Sequence, residues 1–412
     1  MRDSVFWRWA ILLSYCFITA SSQMIWLEFS GIAVPQMILI FHVNLLMIGL
    51  MVSIWPLISI PLALISGVLA DRLGYRFTIS LGGSIIALFS WLRLIAGKDF
   101  TLLLLFQSLA GIGQTFIYDS VTKLVGELFP INEQALANGV GAMSEILGMA
   151  LALVISPLLV PTPSYNYLMI NIIVYSLIST ISLITFIIIG KTTYVNTHSG
   201  YEISTNISMR DIMSIMRMRT IVILMILFFV GTGIFAALTQ WIEPILYSRN
   251  IPQIYSDLAG MVMLISGSLG MILIPYIYGK LHTRSLFTIN TSILTLLLIL
   301  FSIRLQYPIL YFIIAALIGF LLLSLAPLGL QLSLEIVGTK ITGTTTGLLG
   351  LMSEAGAFLM VIIIGEIYST TESQFKGNPW FIPIIVMSLL SLVLSILSLL
   401  IVIDRDQSSF RT

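Results

Sequence analysis

The sequence predicts an all-α membrane protein of twelve transmembrane helices in two pseudo-symmetric six-helix bundles, and three observations predict it. Of 412 residues, 58% are hydrophobic and only 9% charged, against about 25% charged in an ordinary soluble domain. Twelve apolar runs, each near the ~20 residues that cross a bilayer with every backbone group bonded inside the helix, alternate with polar punctuation. Short residue groups then recur between the two halves at almost constant offsets.

In chain order the runs lie near 8–33, 44–70, 77–96, 100–128, 133–159, 165–190, 219–246, 256–279, 285–304, 308–336, 343–369 and 379–403. The first imitates a signal peptide, because Arg2 and Arg8 precede an apolar stretch that reaches small residues at Ala20 to Ser22. Its hydrophobicity continues to about Val34, so a retained span is expected. The longest polar stretch, Lys191 to Arg219, divides six runs from six and reads as a linker with a short basic surface helix. The expected organisation is therefore an N-terminal bundle over 1–190, a cytoplasmic linker over 191–218 and a C-terminal bundle over 219–412. With both termini inside, fourteen Lys/Arg fall on the cytoplasmic side and five (Arg93, Lys98, Arg249, Arg304, Lys376) on the other. An integral protein of the cell membrane with both termini cytoplasmic is expected.

The internal repeat is ordered along the chain. Trp26-Leu27-Glu28 closes the first span and Trp241-Ile242-Glu243 the seventh, an offset of 215. Gly67 and Arg72 match Gly279 and Arg284 at 212, Met143-Ser144-Glu145 matches Met352-Ser353-Glu354 at 209, and Glu127 matches Glu335 at 208. Four matches in the right order argue for duplication.

Between the second and third spans stands GVLADRLGYR, with Gly67, Asp71, Arg72, Gly74 and Arg76 in the pattern Gly-x-x-x-Asp-Arg-x-Gly-x-Arg. Glycines let helices approach closely, a carboxylate can dock at a helix N-terminus, and arginines bind nearby carboxylates, so this loop suits a cytoplasmic gate. A charged loop serving topology alone is the alternative. The motif resembles the signature loop of the major facilitator superfamily, which implies that family's fold of two six-helix bundles. A narrower resemblance runs through SSQMIWLEFS from Ser21, SLAGIGQTFIYDSVTKLVGELF from Ser108, ANGVGAMSEILG from Ala137 and GTTTGLLGLMSEAGAF from Gly343. These stretches are similar to the feline leukaemia virus subgroup C receptor family, whose animal members carry choline and ethanolamine and have been linked to haem export. By that resemblance Trp26 matches a cavity tryptophan that packs on the substrate ammonium, and Gln114 a cavity glutamine. Three positions depart: the family's cavity asparagine is Ser22, its glutamine in the eleventh span is Glu354, and its tyrosine in the seventh falls at Phe235 or Ala236.

A carboxylate at mid-membrane costs at least ~2.5–3.5 kcal/mol, so such a residue normally faces a polar cavity or a partner. Glu145 and Glu354 each lie about ten residues, roughly 15 Å, into their spans. They are read as substrate-binding and proton-coupling candidates that face one central site, or else as buried polar groups that fix helix packing. Trp26 and Trp241 offer ring faces to an ammonium group, or serve as interfacial belt residues. Asp119 and Lys123, one turn apart, read as a structural pair or as part of a gate or relay, with Asp119 a third proton-coupling candidate. Glu28, Glu243 and Glu366, near outer span ends, are expected to be solvated or to form an outer gate. Glycine pairs such as Gly111/Gly113, Gly231/Gly233 and Gly343/Gly347 read as close helix packing.

The exclusions are equally direct. The three histidines (His42, His198, His282) are far apart and Cys16 is the single cysteine, so no metal site and no disulfide are expected. No phosphate-binding glycine motif and no nucleophile with an attendant histidine are present. A net charge of +1 without a charged tail points away from nucleic acid. The expectation is a non-enzymatic, cofactor-free secondary transporter, monomeric in lipid. Its favoured substrate is an amine or quaternary ammonium compound, and protons are a candidate partner. A proton-driven exporter of hydrophobic compounds and a non-transporting receptor or scaffold are the alternatives.

Overall fold

In lipid every backbone polar group must be satisfied within its own segment, and the computed structural model answers this with helices throughout. The structure describes residues 2–32, 34–118, 120–191, 218–278, 283–305, 307–337, 342–375 and 377–400. The chain divides into two compact units, Met1–Glu202 and Ile203–Thr412.

The first unit contains α1 (Arg2–Leu27), α2 (Val34–Phe41), α3 (Leu45–Leu73), α4 (Tyr75–Leu92), α5 (Phe100–Tyr118), α6 (Val121–Leu128), α7 (Ile131–Leu159) and α8 (Tyr165–Lys191). The second contains α9 (Arg219–Tyr247), α10 (Gln253–Tyr278), α11 (Thr283–Ser302), α12 (Pro308–Val337), α13 (Thr342–Thr371) and α14 (Phe381–Leu399). Among the described residues eleven stretches are long and apolar enough to cross a membrane, and the predicted ninth span falls on α11, whose segment Phe287–Ser302 is also apolar. On this helix Thr288, Ser292 and Thr295 bond Ser398, Ser395 and Ser391 of α14 at 2.7, 2.6 and 3.0 Å. These polar side chains form the seam that holds the two helices together.

Two sequence expectations shift in detail. The first run was expected to reach residue 33, but α1 ends at Leu27, whose carbonyl accepts from the amides of Ser30 and Gly31. The fourth run is two helices, α5 and the short α6, with Ser120 between them bonding back to Phe116.

Helix pairing repeats in the two units. In the first, the predicted spans pair first with fifth (α1 on α7), second with fourth (α3 on α5) and third with sixth (α4 on α8). In the second, α9 packs on α13, α10 on α12 and α11 on α14, the same scheme. Small residues permit the closest crossings: a side chain at Gly148 would strike the Ala20 carbonyl of α1, and one at Gly356 the Phe229 carbonyl of α9. Outward faces are apolar, as on α8, where Leu177, Ile181, Ile184 and Ile188 form an exposed stripe at helical spacing. Such a stripe suits lipid and would be costly in water.

Candidate functional site

The signature loop is built on a turn that only glycine accommodates easily. Gly74 sits at φ +82° between α3 and α4, its amide donating to the Ala70 carbonyl at 3.0 Å. Arg76 donates to the Tyr75 hydroxyl at 3.0 Å and lies over that ring, while Arg72 is exposed. The side chains of Gly67 and Asp71 lie outside the described residues, as do Asp119, His198, His282 and Gly279.

The substrate candidates of the first unit lie on α1, α5 and α7. Ser22 and Trp26, one turn apart on α1, are buried. The Trp26 indole donates to the Val52 carbonyl of α3 at 2.9 Å, which fixes the ring's tilt. Gln114 is buried on α5, and Glu145 is half-buried on α7, in electrostatic reach of Cys16 on α1. In the second unit Glu354 is likewise half-buried on α13. The seam of α13 with α9 is made by Gly356 and by Ser353, which accepts from Thr232 at 3.1 Å. Glu354 lies two residues from Gly356 and so points away from that contact line at 100° per residue. Trp241 is enclosed: its indole donates to the Val361 carbonyl at 3.1 Å and its ring tilts against Trp380, which stacks on Tyr368 at 4.3 Å. The Trp241 ring is fully buried.

The expected glycine packing is partly realised. Gly113 abuts the Gly82 carbonyl of α4, Gly111 lies under the Trp55 ring, and Gly233 abuts Gly356. Gly347 faces open space.

Two of the three span-end acids overturn the expectation of solvation, whereas Glu366 is exposed as expected. Glu28 is fully buried. Arg93, in a 3-10 turn at Arg93–Ala96, reaches it with bonds of 2.7 and 3.3 Å and also donates to Gln107 Oε1 at 2.8 Å. Gln107 completes the set by donating to the Ile25 carbonyl at 3.0 Å. Glu243 is equally buried but keeps different company: Asp257 on α10, fully buried, interacts with it electrostatically. The sequence expectations passed over Asp257 and counted Arg93 only as a charge on the outer side. The signal available was a charge inside an apolar run, Ser90-Trp91-Leu92-Arg93-Leu94-Ile95. Nearby Arg249, beyond the span, is buried over the Phe301 and Tyr311 rings at 5.0 and 4.9 Å from their centroids. Burial lowers its pKa to about 10, partly offset by Tyr311, so it stays a cation at neutral pH. Among the described residues no group of His, Cys, Asp and Glu is arranged to hold a metal ion.

Comparison with known proteins places this architecture. The family model described as Major Facilitator Superfamily matches residues 11–361. Solute carrier family 49 member A3 of Xenopus tropicalis is 26% identical over 385 residues, covering 87% of this chain and 78% of that protein. A choline/ethanolamine transporter of Felis catus is 24% identical over 390 residues, covering 90% and 69%. Among solved structures, a bacterial homologue of the human lysosomal transporter Spinster matches with a TM-score of 0.76 at 16% identity, over 96% of this chain and 97% of that one. That last likeness concerns the fold alone.

Proposed function

This chain belongs to the Major Facilitator Superfamily, and from that premise we propose that it is a secondary transporter of a small organic solute, working by alternating access. The favoured substrate class is an amine or quaternary ammonium compound. The observation that carries this reading is the pair of mid-span carboxylates, Glu145 and Glu354, each half-buried within a stretch of its helix, 139–155 and 347–365, that is otherwise apolar but for one serine. A carboxylate kept there at such cost has work to do, and attracting a cation is work for which its charge is suited. Trp26 supplies the complementary chemistry, an aromatic face that attracts ammonium groups. The relatives named as choline/ethanolamine transporters support the same class.

Ser22 and Gln114 would add polar contacts, and Trp241, fully buried, would join them only if uncovered. Glu145 and Glu354 can each exchange a proton for a cationic solute, which makes protons the candidate coupling ion; Asp119 is the third candidate. Gly67, Asp71, Arg72, Gly74 and Arg76 would form the cytoplasmic gate, with residues 191–218 linking the bundles and both termini in the cytoplasm.

A second reading, a proton-driven exporter of diverse hydrophobic compounds, draws on one feature. Met143, exposed, and Met352, half-exposed, each stand two residues from a carboxylate, and thioether side chains adapt to varied apolar shapes. A thermal-shift panel of choline, ethanolamine, carboxylates, sugars and lipophilic drugs separates the readings, because a ligand of the folded state raises its apparent stability. Selective stabilisation by the ammonium compounds is expected. Equal shifts from unrelated lipophilic compounds would favour the exporter, and shifts from sugars or carboxylates alone would exclude both.

A further inference from the structure

Among the described residues each unit buries one arginine, Arg93 in the first and Arg249 in the second. Arg93 shows what a buried guanidinium ordinarily receives. It donates to both Glu28 oxygens at 2.7 and 3.3 Å, to Gln107 Oε1 at 2.8 Å and to the Ser90 carbonyl at 3.3 Å. Arg249, in the turn that follows α9, is 7% exposed, and none of its three buried guanidinium nitrogens has a hydrogen-bond partner. It is not the counterpart of Arg93. An offset of 211, between the 212 and 209 of the flanking matched pairs, maps Arg93 onto Arg304 and Gln107 onto Ile318.

What Arg249 has instead is aromatic. Phe301 at the end of α11 and Tyr311 near the start of α12 lie edge to face at 6.0 Å, with centroids 5.0 and 4.9 Å from the guanidinium carbon. Ring faces attract the positive charge but accept N–H groups only weakly, so five donors go without an oxygen. The neighbouring hydroxyls donate elsewhere: Tyr311 to the Ile303 carbonyl at 3.4 Å, Ser302 to Ile299 at 2.6 Å and Ser248 to Ile245 at 2.7 Å. Glu243 and Asp257 are buried on α9 and α10, and neither comes within hydrogen-bond distance of the guanidinium. A second cation stands at the same corner. The Leu305 amide donates to the Tyr311 hydroxyl at 2.6 Å, and the residue before it is Arg304, exposed and held by a single 3.4 Å bond to the Gly377 carbonyl.

A charge taken out of water is normally paired and hydrogen-bonded, because leaving it bare forfeits most of its solvation. We propose that Arg249 anchors an anion site at this end of the second unit, which takes a small monovalent anion of the chloride class. Size follows from burial, since a cation only 7% exposed is too enclosed for a phosphodiester headgroup or an organic carboxylate. Charge follows from one guanidinium needing one counter-charge. Access is short: Tyr247 and Asn250, on either side of Arg249 in the chain, are exposed, so a small movement of the turn admits the ion. Occupancy turns a bare cation into a neutral pair and stabilises the corner. The inference does not depend on which solute is carried.

Heat unfolding of the purified full chain in detergent, with chloride replacing gluconate stepwise at constant ionic strength, tests this. The wild-type unfolding temperature should rise with chloride and level off, because the ion binds the folded state. Arg249→Met has no charge to neutralise, so its unfolding temperature should not respond to chloride and should equal or exceed the wild-type value in gluconate. A wild type indifferent to chloride would overturn the proposal. An equal response from Arg249→Met would place the ion elsewhere, and a variant less stable by the same margin in both salts would make Arg249 a cation–π clamp alone. Stabilisation by phosphatidylglycerol but not by chloride would assign the site to a lipid phosphate and refute the small-ion class. If Arg249→Met does not fold, anomalous diffraction from wild-type crystals grown in bromide decides: a peak beside Arg249 is expected, and its absence there refutes the site.

Discussion

The two tryptophan-x-glutamate span ends began as the same piece of sequence and now do opposite things. In the first unit Glu28 meets Arg93 and Gln107, so every charge has a partner and the helices α1, α4 and α5 are tied together. In the second, Glu243 meets another acid, the arginine at the repeat-related position bonds a loop carbonyl, and the glutamine position has become Ile318. A repeated architecture can thus keep its helix pairing while the buried acid at matched positions meets an arginine in one copy and lies in electrostatic reach of a second acid in the other. The tryptophans diverge in parallel. Trp26 lies one turn from Ser22 and donates to the Val52 carbonyl, whereas Trp241 donates to the Val361 carbonyl and packs against Trp380.

The Arg93–Glu28 pair gives the largest expected effect. Arg93→Met leaves Glu28 buried without its cation and should cost about 3–5 kcal/mol, read as a fall in thermal unfolding temperature. Adding Glu28→Gln should recover much of that loss. A single variant as stable as the wild type would remove the contrast between the units. Next in size, Trp26→Ala should weaken choline binding by up to ~30-fold, the equivalent of a desolvated cation–π contact of about 2 kcal/mol. Trp241→Phe should leave binding unchanged and cost about 1 kcal/mol of stability through the lost indole bond. Equal effects on binding from both would erase the distinction drawn between them.

Much of the fold was legible because bilayer physics writes it into composition and run length. The twelve spans and their duplication follow from apolar runs and a few matched residues. The fine breaks were not legible: the helix end at Leu27 and the turn at Ser120 are set by single hydrogen bonds inside apolar sequence. The seam of α11 was hidden for a related reason, since threonines and serines there read as weak hydrophobicity until α14 supplies their partners. Glu145 and Glu354 stood out as charges in mid-run. Glu28 and Glu243 did not, because a charge at a span end looks alike whether water or an arginine receives it. Only the fold brings Arg93 back over Glu28, 65 residues away.

Uptake of radiolabelled choline into proteoliposomes, with and without an imposed pH gradient, comparing wild type with Glu354→Gln, tests the transport reading most directly. The wild type is expected to accumulate choline and to respond to the gradient, and Glu354→Gln to lose the response together with most of the uptake. Unchanged, gradient-sensitive uptake by Glu354→Gln would contradict the role given to the mid-span carboxylate.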